Sequence, residues 1–104
     1  MMAKDQGTPL DTELEDLPPE LRWRQWMGRI EAVIFASATP VSREVLQKVV
    51  GQAASVELLI EDLRVELAGR SLEIVSVADG WIMRTRAGFA DAIRAAADLS
   101  DQSM

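Results

Sequence analysis

The 104-residue chain has the composition of one soluble globular domain, since 48% of its residues are apolar and 27% are charged. Its 17 acidic and 11 basic residues give a formal charge of −6, which opposes binding to nucleic acid or to an anionic membrane unless the basic residues are segregated. The chain has no cysteine and no histidine, which excludes a disulfide framework and a thiolate metal site and removes the commonest general base and metal ligand. No apolar run reaches the roughly 18 residues of a membrane span, and the N-terminus lacks the apolar core of a signal peptide, so we expect a cytoplasmic protein.

The two ends of the chain carry little apolar surface. Residues 1–17 are predicted to form a flexible acidic tail, because they contain too few apolar side chains to offset the entropy of ordering them. Pro18 and Pro19 end this tail, and we place the folded domain at residues 18–99. Residues 100–104 show no core pattern and are expected to be disordered.

The first predicted helix runs from Pro19 to Ala38 and ends before Pro40, since the residue before a proline avoids the helical region. Gly28 lies inside it and could break or bend it. Its apolar residues recur at spacings of three and four, which places them on one face: Trp23, Trp26, Met27, Ile30, Val33 and Ile34.

Two further helices follow at short spacing. Ser42 is a good N-cap for a short second helix, and Gly51 is placed to end it. Ser55 is a second N-cap candidate, for a third helix that runs to about Ala68 and is closed by Gly69. Two helices joined by a short glycine-containing connection have the shape of a helix-turn-helix.

The segment from Leu72 to Arg86 carries the β signal of the chain. Asp79 and Gly80 suit the centre of a type I′ turn, which requires positive φ at both positions. This turn would pair Val77 with Ile82, Val75 with Arg84 and Glu73 with Arg86 across two strands. One face of the hairpin is then apolar and is predicted to face the core; it contains Leu72, Ile74, Trp81 and Met83.

An alanine-rich helix over residues 88–99 follows the hairpin, with a modest apolar face that includes Phe89 and Ile93. Three helices, a hairpin and a C-terminal helix predict an α+β fold, a single winged helix-turn-helix domain.

A helix-turn-helix with a wing suggests DNA binding, but the charges of the third helix oppose it. Between Ser55 and Gly69, four carboxylates stand against the single guanidinium of Arg64, which gives a local charge of −3. This balance favours a helix that packs or contacts protein. The wing is more basic, and we consider Trp81, Arg84 and Arg86 as candidate contacts; the alternative is a solvated strand face with Arg86 paired to Glu73.

Four apolar residues are candidates for a protein interface. Trp23 and Trp26 are difficult to bury together on a domain of this size without a partner, and tryptophan is enriched at interface hot spots. The alternative is that both rings close one end of the core. Leu58 and Val65 lie outside the buried stripe of the third helix and could extend an exposed apolar patch. No pattern of catalytic, cofactor-binding or metal-binding residues is present, so an enzyme is not expected.

An ordered series of segments resembles one known family. The segments are Ile30–Ser37, Thr39–Ser42, Leu58–Leu63, Leu72–Val75, Gly80–Trp81, Arg84–Arg86 and Phe89–Ile93. Together they resemble the N-terminal half of ScpB, the segregation and condensation protein B family of the bacterial chromosome condensin. The stretch Asp16–Arg24 is similar to an extension associated with alphaproteobacterial members.

The resemblance implies a non-enzymatic cytoplasmic subunit that acts in chromosome condensation and segregation. It implies a homodimer that binds the kleisin subunit ScpA and, through it, the SMC ATPase, with no cofactor, no small-molecule ligand and no membrane. The family has two tandem winged helices, and this chain matches the first, which is thought to take part in dimerisation. The alternative function is a winged-helix transcriptional regulator that binds DNA directly.

Overall fold

A computed structural model describes the backbone of residues 9–102 and the side chains of residues 9–98. The α+β class predicted from the sequence is confirmed, and helix, strand, two helices and a hairpin follow one another as in a winged helix. The elements are α1 (Pro19–Ala36), β1 (Val41–Ser42), α2 (Arg43–Gln47), α3 (Val56–Leu67), β2 (Leu72–Val77), β3 (Gly80–Thr85), a 3-10 turn (Ala87–Phe89) and α4 (Ala90–Gln102).

Helix α1 is continuous through Gly28, where the sequence suggested a break. Gly28 is exposed, and a Cβ there would meet no atom within 4 Å, so packing does not require a bend at this position. The helix ends two residues before the predicted end, because Ser37 adopts an extended conformation and its N–H donates to the carbonyl of Ile34.

Both predicted serine caps are confirmed. The Oγ of Ser42 accepts a hydrogen bond from the N–H of Val45, and the Oγ of Ser55 accepts one from the N–H of Leu58, each at 3.2 Å. Each hydroxyl satisfies an N–H that has no partner inside its helix, which fixes where α2 and α3 begin.

The sheet has three antiparallel strands in the order β1-β3-β2, so it includes one short strand that the sequence did not predict. The predicted hairpin register is wrong by two residues: Val77 pairs with Gly80, and Glu73 pairs with Arg84. The turn is centred on Ala78 and Asp79 and is not type I′, because only Ala78 has a positive φ, of 44°.

A shift of two residues leaves every side chain on its predicted face of the hairpin, since strand side chains alternate with a period of two. Ile74 lies opposite Met83, and Ser76 lies opposite Trp81. Ile74 is buried, and Trp81 and Met83 pack against the core, as the sequence predicted.

The core forms where α1, α3 and the hairpin meet, with α2 closing one end. No polar or charged side chain is buried in the described part of the chain. The most deeply buried side chains are apolar and come from α1, α2, α3 and the α2–α3 connection: Ile30, Ile34, Leu46, Val50, Val56, Leu59 and Ile60.

Residues 11–17 pack against the domain, which contradicts the predicted flexible tail over this part of residues 1–17. Leu14 is buried, the carbonyl of Asp11 accepts a hydrogen bond from Arg29 at 2.8 Å, and the Glu13 carboxylate accepts one from the N–H of Gln52 at 2.9 Å. The segment is therefore docked on the domain, and the acidic residues that suggested a flexible tail lie mainly on its solvent-facing side. Residues 1–8 lie outside the described residues.

Helix α4 extends beyond the predicted end of the domain, so residues 100–102 are helical, while residues 103–104 lie outside the described residues. Residues 91–98 are all exposed, and the principal contacts of α4 are with the adjacent 3-10 turn. The helix therefore projects from the domain. Within the described range, no helix is long and apolar enough to cross a bilayer.

Candidate protein-interaction site

A surface cleft of about 430 Å³ lies between the start of α1, the N-terminal segment and the α2–α3 connection. We call it the tryptophan cleft. Three of the four predicted interface residues line it, and these are Trp23, Trp26 and Leu58. The other lining residues come from the segments around them: Glu13, Glu15, Arg22, Gly51, Ala53, Ala54 and Ser55.

Trp26 forms the floor of the cleft and belongs to the core, so the structure favours the second of the two interpretations of this residue. Its side chain is 8% exposed, and its indole N–H donates to the carbonyl of Thr12 at 2.8 Å. Gly51 leaves room for the ring, because a Cβ at that position would lie 2.6 Å from a ring carbon. The predicted role of Gly51 as a helix cap is wrong, since α2 ends at Gln47.

Trp23 is half-buried and is held in place at the wall of the cleft. Its indole N–H donates to the carboxylate of Asp62 on α3 at 2.7 Å. Its ring meets that of Trp26 edge to face, with centroids 6.3 Å apart and an interplanar angle of 70°. The ring therefore presents a fixed apolar surface, which a partner can cover without the entropy loss of ordering it.

Leu58 and Val65 project from the outer face of α3 and are 60% and 71% exposed. They are seven residues apart and hence on the same side of the helix, but Val65 does not line the cleft. The structure thus groups Leu58 with the two tryptophans and places Val65 further along the same surface.

The charge around the cleft is mainly negative. Glu13 and Glu15 line it, and Asp62 lies beside Trp23. The guanidinium of Arg22 donates to the carbonyls of Leu14 and Leu17, so it holds the N-terminal segment against α1. A complementary partner has an apolar side chain flanked by lysine or arginine.

The arginines of the wing are engaged within the chain. Arg84 and Arg86 contact the two carboxylate oxygens of Glu73 at 3.0 and 3.3 Å. Arg86 also donates to the carbonyl of Leu67, which caps the C-terminal end of α3. Trp81 packs against the core, on the face opposite to these charges, so the three predicted wing residues do not form one surface.

One ion pair connects the two helices of the helix-turn-helix. Arg43 on α2 contacts Glu57 on α3 at 2.7 Å. Glu57 lies in the first turn of α3; its own backbone N–H, and then the Arg43 guanidinium, hold the pKa of its carboxyl below the ordinary value. Among the described residues, no group of three or more acidic side chains is arranged to hold a metal ion.

The sequence interpretation missed the wall of the cleft that the N-terminal segment forms. The available signal was the isolated apolar residue Leu14 between Glu13 and Glu15, which is the side chain that docks. The segment is held by side-chain donors that bind its backbone carbonyls, and these donors belong to Arg22, Trp26 and Arg29. Every residue has a backbone carbonyl, so the sequence gives no sign of which carbonyls accept these hydrogen bonds.

Comparisons with known proteins connect this fold to one family. The family model described as segregation and condensation complex subunit ScpB matches residues 28–103. A conserved hypothetical protein from Chlorobium tepidum has a similar structure, with a TM-score of 0.61 and 25% identity over 72% of this chain and 49% of its own. A search of curated proteins gives no match.

ScpB from Mycobacterium tuberculosis shares the fold, with a TM-score of 0.62 and 23% identity over 79% of this chain and 52% of its own. The chain therefore spans about half the length of each of these two proteins. Because the family model covers α1 in part and the other three helices and the hairpin in full, the chain belongs to the ScpB family of segregation and condensation complex subunits.

Proposed function

We propose that this chain is a non-enzymatic, cytoplasmic subunit of an SMC–kleisin complex, that it acts in chromosome condensation and segregation, and that it works through protein contacts. The partners are a second copy of the chain and the kleisin ScpA, through which it joins the SMC ATPase. No cofactor or small molecule takes part. The observation that carries this proposal is the tryptophan cleft, an apolar and preorganised surface on a chain of the ScpB family.

The tryptophan cleft is assigned to the kleisin. Leu58 and the ring of Trp23 supply an exposed apolar surface, and hydrogen bonding to Asp62 fixes the ring before a partner arrives. Interfaces of this kind depend on a few apolar anchors in a small pocket, with polar groups around them. The kleisin segment is expected to insert an apolar side chain between Trp23 and Leu58 and to place basic residues near Glu13 and Glu15.

The test is Leu58→Asp, measured by calorimetric titration with purified ScpA from the same organism. The added carboxylate places a negative charge on the apolar surface of the cleft, which already has acidic residues around it. The dissociation constant for ScpA should therefore rise at least about tenfold, which corresponds to about 1.4 kcal/mol. Val45→Asp is the matched control, because Val45 is 42% exposed on α2 and lies outside the cleft. Equal ScpA affinity for Leu58→Asp and the unaltered chain, with both folded, would remove the kleisin from this site.

Direct DNA binding is the alternative function, and we expect it to be weak. Helix α3 carries Glu57, Glu61 and Glu66 on its exposed surface, and Arg64 is paired to Glu61 and to the β2 strand. Binding can be measured by the fluorescence anisotropy of a labelled duplex at physiological salt. The duplex should not be saturated when the concentration of the chain reaches about 1 μM. A submicromolar dissociation constant with sequence preference and a steep salt dependence would favour the regulator instead.

A further inference from the structure

The N-terminal segment, residues 11–17, forms a wall of the tryptophan cleft and does not fill it. Leu14, which is 9% exposed, packs in the hydrophobic core. Glu13 and Glu15, on either side of it, line the cleft. The cleft of about 430 Å³ therefore stays open while the segment is docked. A partner in the cleft meets the outer side of the segment and has no need to displace it.

Two arginines of α1 hold the segment through its backbone. The Nε of Arg22 donates to the carbonyl of Leu14 at 3.1 Å, and its Nη2 donates to the carbonyl of Leu17 at 2.9 Å. The Nη1 of Arg29 donates to the carbonyl of Asp11 at 2.8 Å. Hydrogen bonds from a charged donor are among the stronger ones in proteins. The two guanidinium groups thus fix the segment at both of its ends.

The docked backbone depends on these contacts. Leu14 has a φ of 52°, in the left-handed region, which is strained for a residue with a Cβ. Such a conformation persists only where the surrounding structure stabilises it. Loss of either arginine should therefore shift the segment toward an undocked state, in which the acidic wall of the cleft is lost.

We propose that Arg22 and Arg29 are positioning residues of the tryptophan cleft, and that docking of the N-terminal segment and binding of the partner strengthen each other. The inference rests on the proposed function, since the partner is the kleisin, and it adds how the site is assembled and regulated. A partner that binds the docked form shifts the chain toward that form, and by linkage the docked segment raises the partner's affinity by the same factor. Because residues 11–17 precede the matched part of the chain, family membership does not supply this wall.

The first test is Arg29→Gln, measured by calorimetric titration with purified ScpA from the same organism. Arg29 does not line the cleft, so its effect on ScpA must come through the groups that it holds. The dissociation constant should rise at least about fivefold. Arg24→Gln is the matched control on the same helix, because Arg24 pairs with Glu66 on the exposed surface outside the cleft. It should leave the constant within about twofold, and circular dichroism checks that each variant is folded.

A double-mutant cycle separates positioning from direct contact, since Arg22 lines the cleft and could itself touch ScpA. Leu14→Asp places a carboxylate at a buried position and should undock the segment. In this background, Arg22→Gln and Arg29→Gln should weaken ScpA binding by no more than about a further twofold, because the segment that they hold is already released. Absence of a further loss for Arg29→Gln also excludes a route through Val49, whose carbonyl accepts from Arg29 at 3.0 Å.

The salt dependence of ScpA binding provides a readout that loss of stability alone does not change. In the docked segment, the carboxylates of Glu13 and Glu15 are held beside the cleft. Their attraction to a basic partner is screened by salt, so added salt should weaken ScpA binding to the unaltered chain. The Leu14→Asp chain should show a smaller salt dependence.

Hydrogen exchange measures the sign of the coupling. The N–H of Leu14 donates to the side chain of Asp11 at 3.1 Å, and the N–H of Leu17 donates to the carbonyl of Leu14 at 3.0 Å. Both hydrogen bonds lie within the segment. ScpA should slow the exchange of these two amides at least about threefold, because the complex contains the docked form.

Three results would overturn the inference while the proposed function survives, with ScpA still bound and still weakened by Leu58→Asp. The first is an unaltered ScpA affinity in Arg29→Gln. The second is a full loss from Arg22→Gln in the Leu14→Asp background, which would make Arg22 a direct contact. The third is exchange of the two amides that ScpA leaves unchanged or makes faster, which would mean that the segment is not part of the binding site or is displaced. Absence of ScpA binding to the unaltered chain would remove the proposed function and the inference together.

Discussion

Replacing Trp26 by alanine should lower the free energy of unfolding by about 3–5 kcal/mol, the range for truncating a large buried aromatic side chain. The ring is 8% exposed, fills the space above Gly51, and donates its N–H to the carbonyl of Thr12. The substitution opens a cavity and releases the N-terminal segment, so two contributions add. Denaturant unfolding monitored by far-UV circular dichroism measures the change.

Trp23→Ala is the control for Trp26→Ala, because the two residues lie one helical turn apart on α1 but differ in burial. Trp23 is half-buried and its hydrogen bond to Asp62 is exposed, so we expect a loss of only about 1 kcal/mol. In ScpA titrations, Trp23→Ala should raise the dissociation constant more than Trp26→Ala does, since Trp23 forms the accessible wall of the cleft. Equal destabilisation by the two substitutions would mean that the two rings are covered alike.

The helices were predictable because their signals are local. A serine before an apolar run marks a helix start through its own hydroxyl, and Ser42 and Ser55 both accept the predicted backbone hydrogen bond. The spacing of Ile30 and Ile34 likewise assigned one face of α1 to the core, where both are almost fully buried. These features depend on neighbours within four residues, so they can be inferred from the order of side chains alone.

The hairpin register depended on pairing with a residue 38 positions away from Gly80. Asp79-Gly80 favours a type I′ turn on local grounds, but Gly80 instead pairs with Ser42 in the short strand β1. Pairing with β1 moves Gly80 out of the turn and into β3, and the positive φ falls on Ala78. A two-residue strand has no hydrophobic pattern of its own, so nothing near Asp79 indicated this competition.

The candidate site was predictable in part for a similar reason. Two tryptophans close together on the first predicted helix, and a leucine outside the buried stripe of the third, indicated Trp23, Trp26 and Leu58, and the structure brings them to one cleft. The burial of Trp26 was not evident, because it depends on Gly51 and on Leu14 in a segment of acidic composition. Whether a tryptophan on α1 belongs to the core or stays accessible to a partner thus depends on residues outside α1.

Gly80→Ala should lower the free energy of unfolding by about 1–3 kcal/mol, through crowding and not through backbone strain. A Cβ at Gly80 would lie 2.7 Å from the carbonyl oxygen of Val41 and 2.9 Å from its carbonyl carbon. Both are backbone atoms of β1, so relief requires the strand to move. We expect β1 to separate from β3, with loss of amide protection at the β1–β3 pairing in hydrogen exchange.

Two substitutions in the same region separate crowding from backbone strain. Gly88→Ala adds the same methyl group where no atom lies within 4 Å, so stability should change by less than about 0.5 kcal/mol. Ala78→Gly should raise stability by about 0.5–1 kcal/mol, because Ala78 has a φ of 44°, which glycine adopts without a Cβ conflict. A Gly80→Ala protein as stable as the Gly88→Ala protein would show that β1 does not approach Gly80 closely. A loss of stability in Ala78→Gly would place the positive φ elsewhere in the turn.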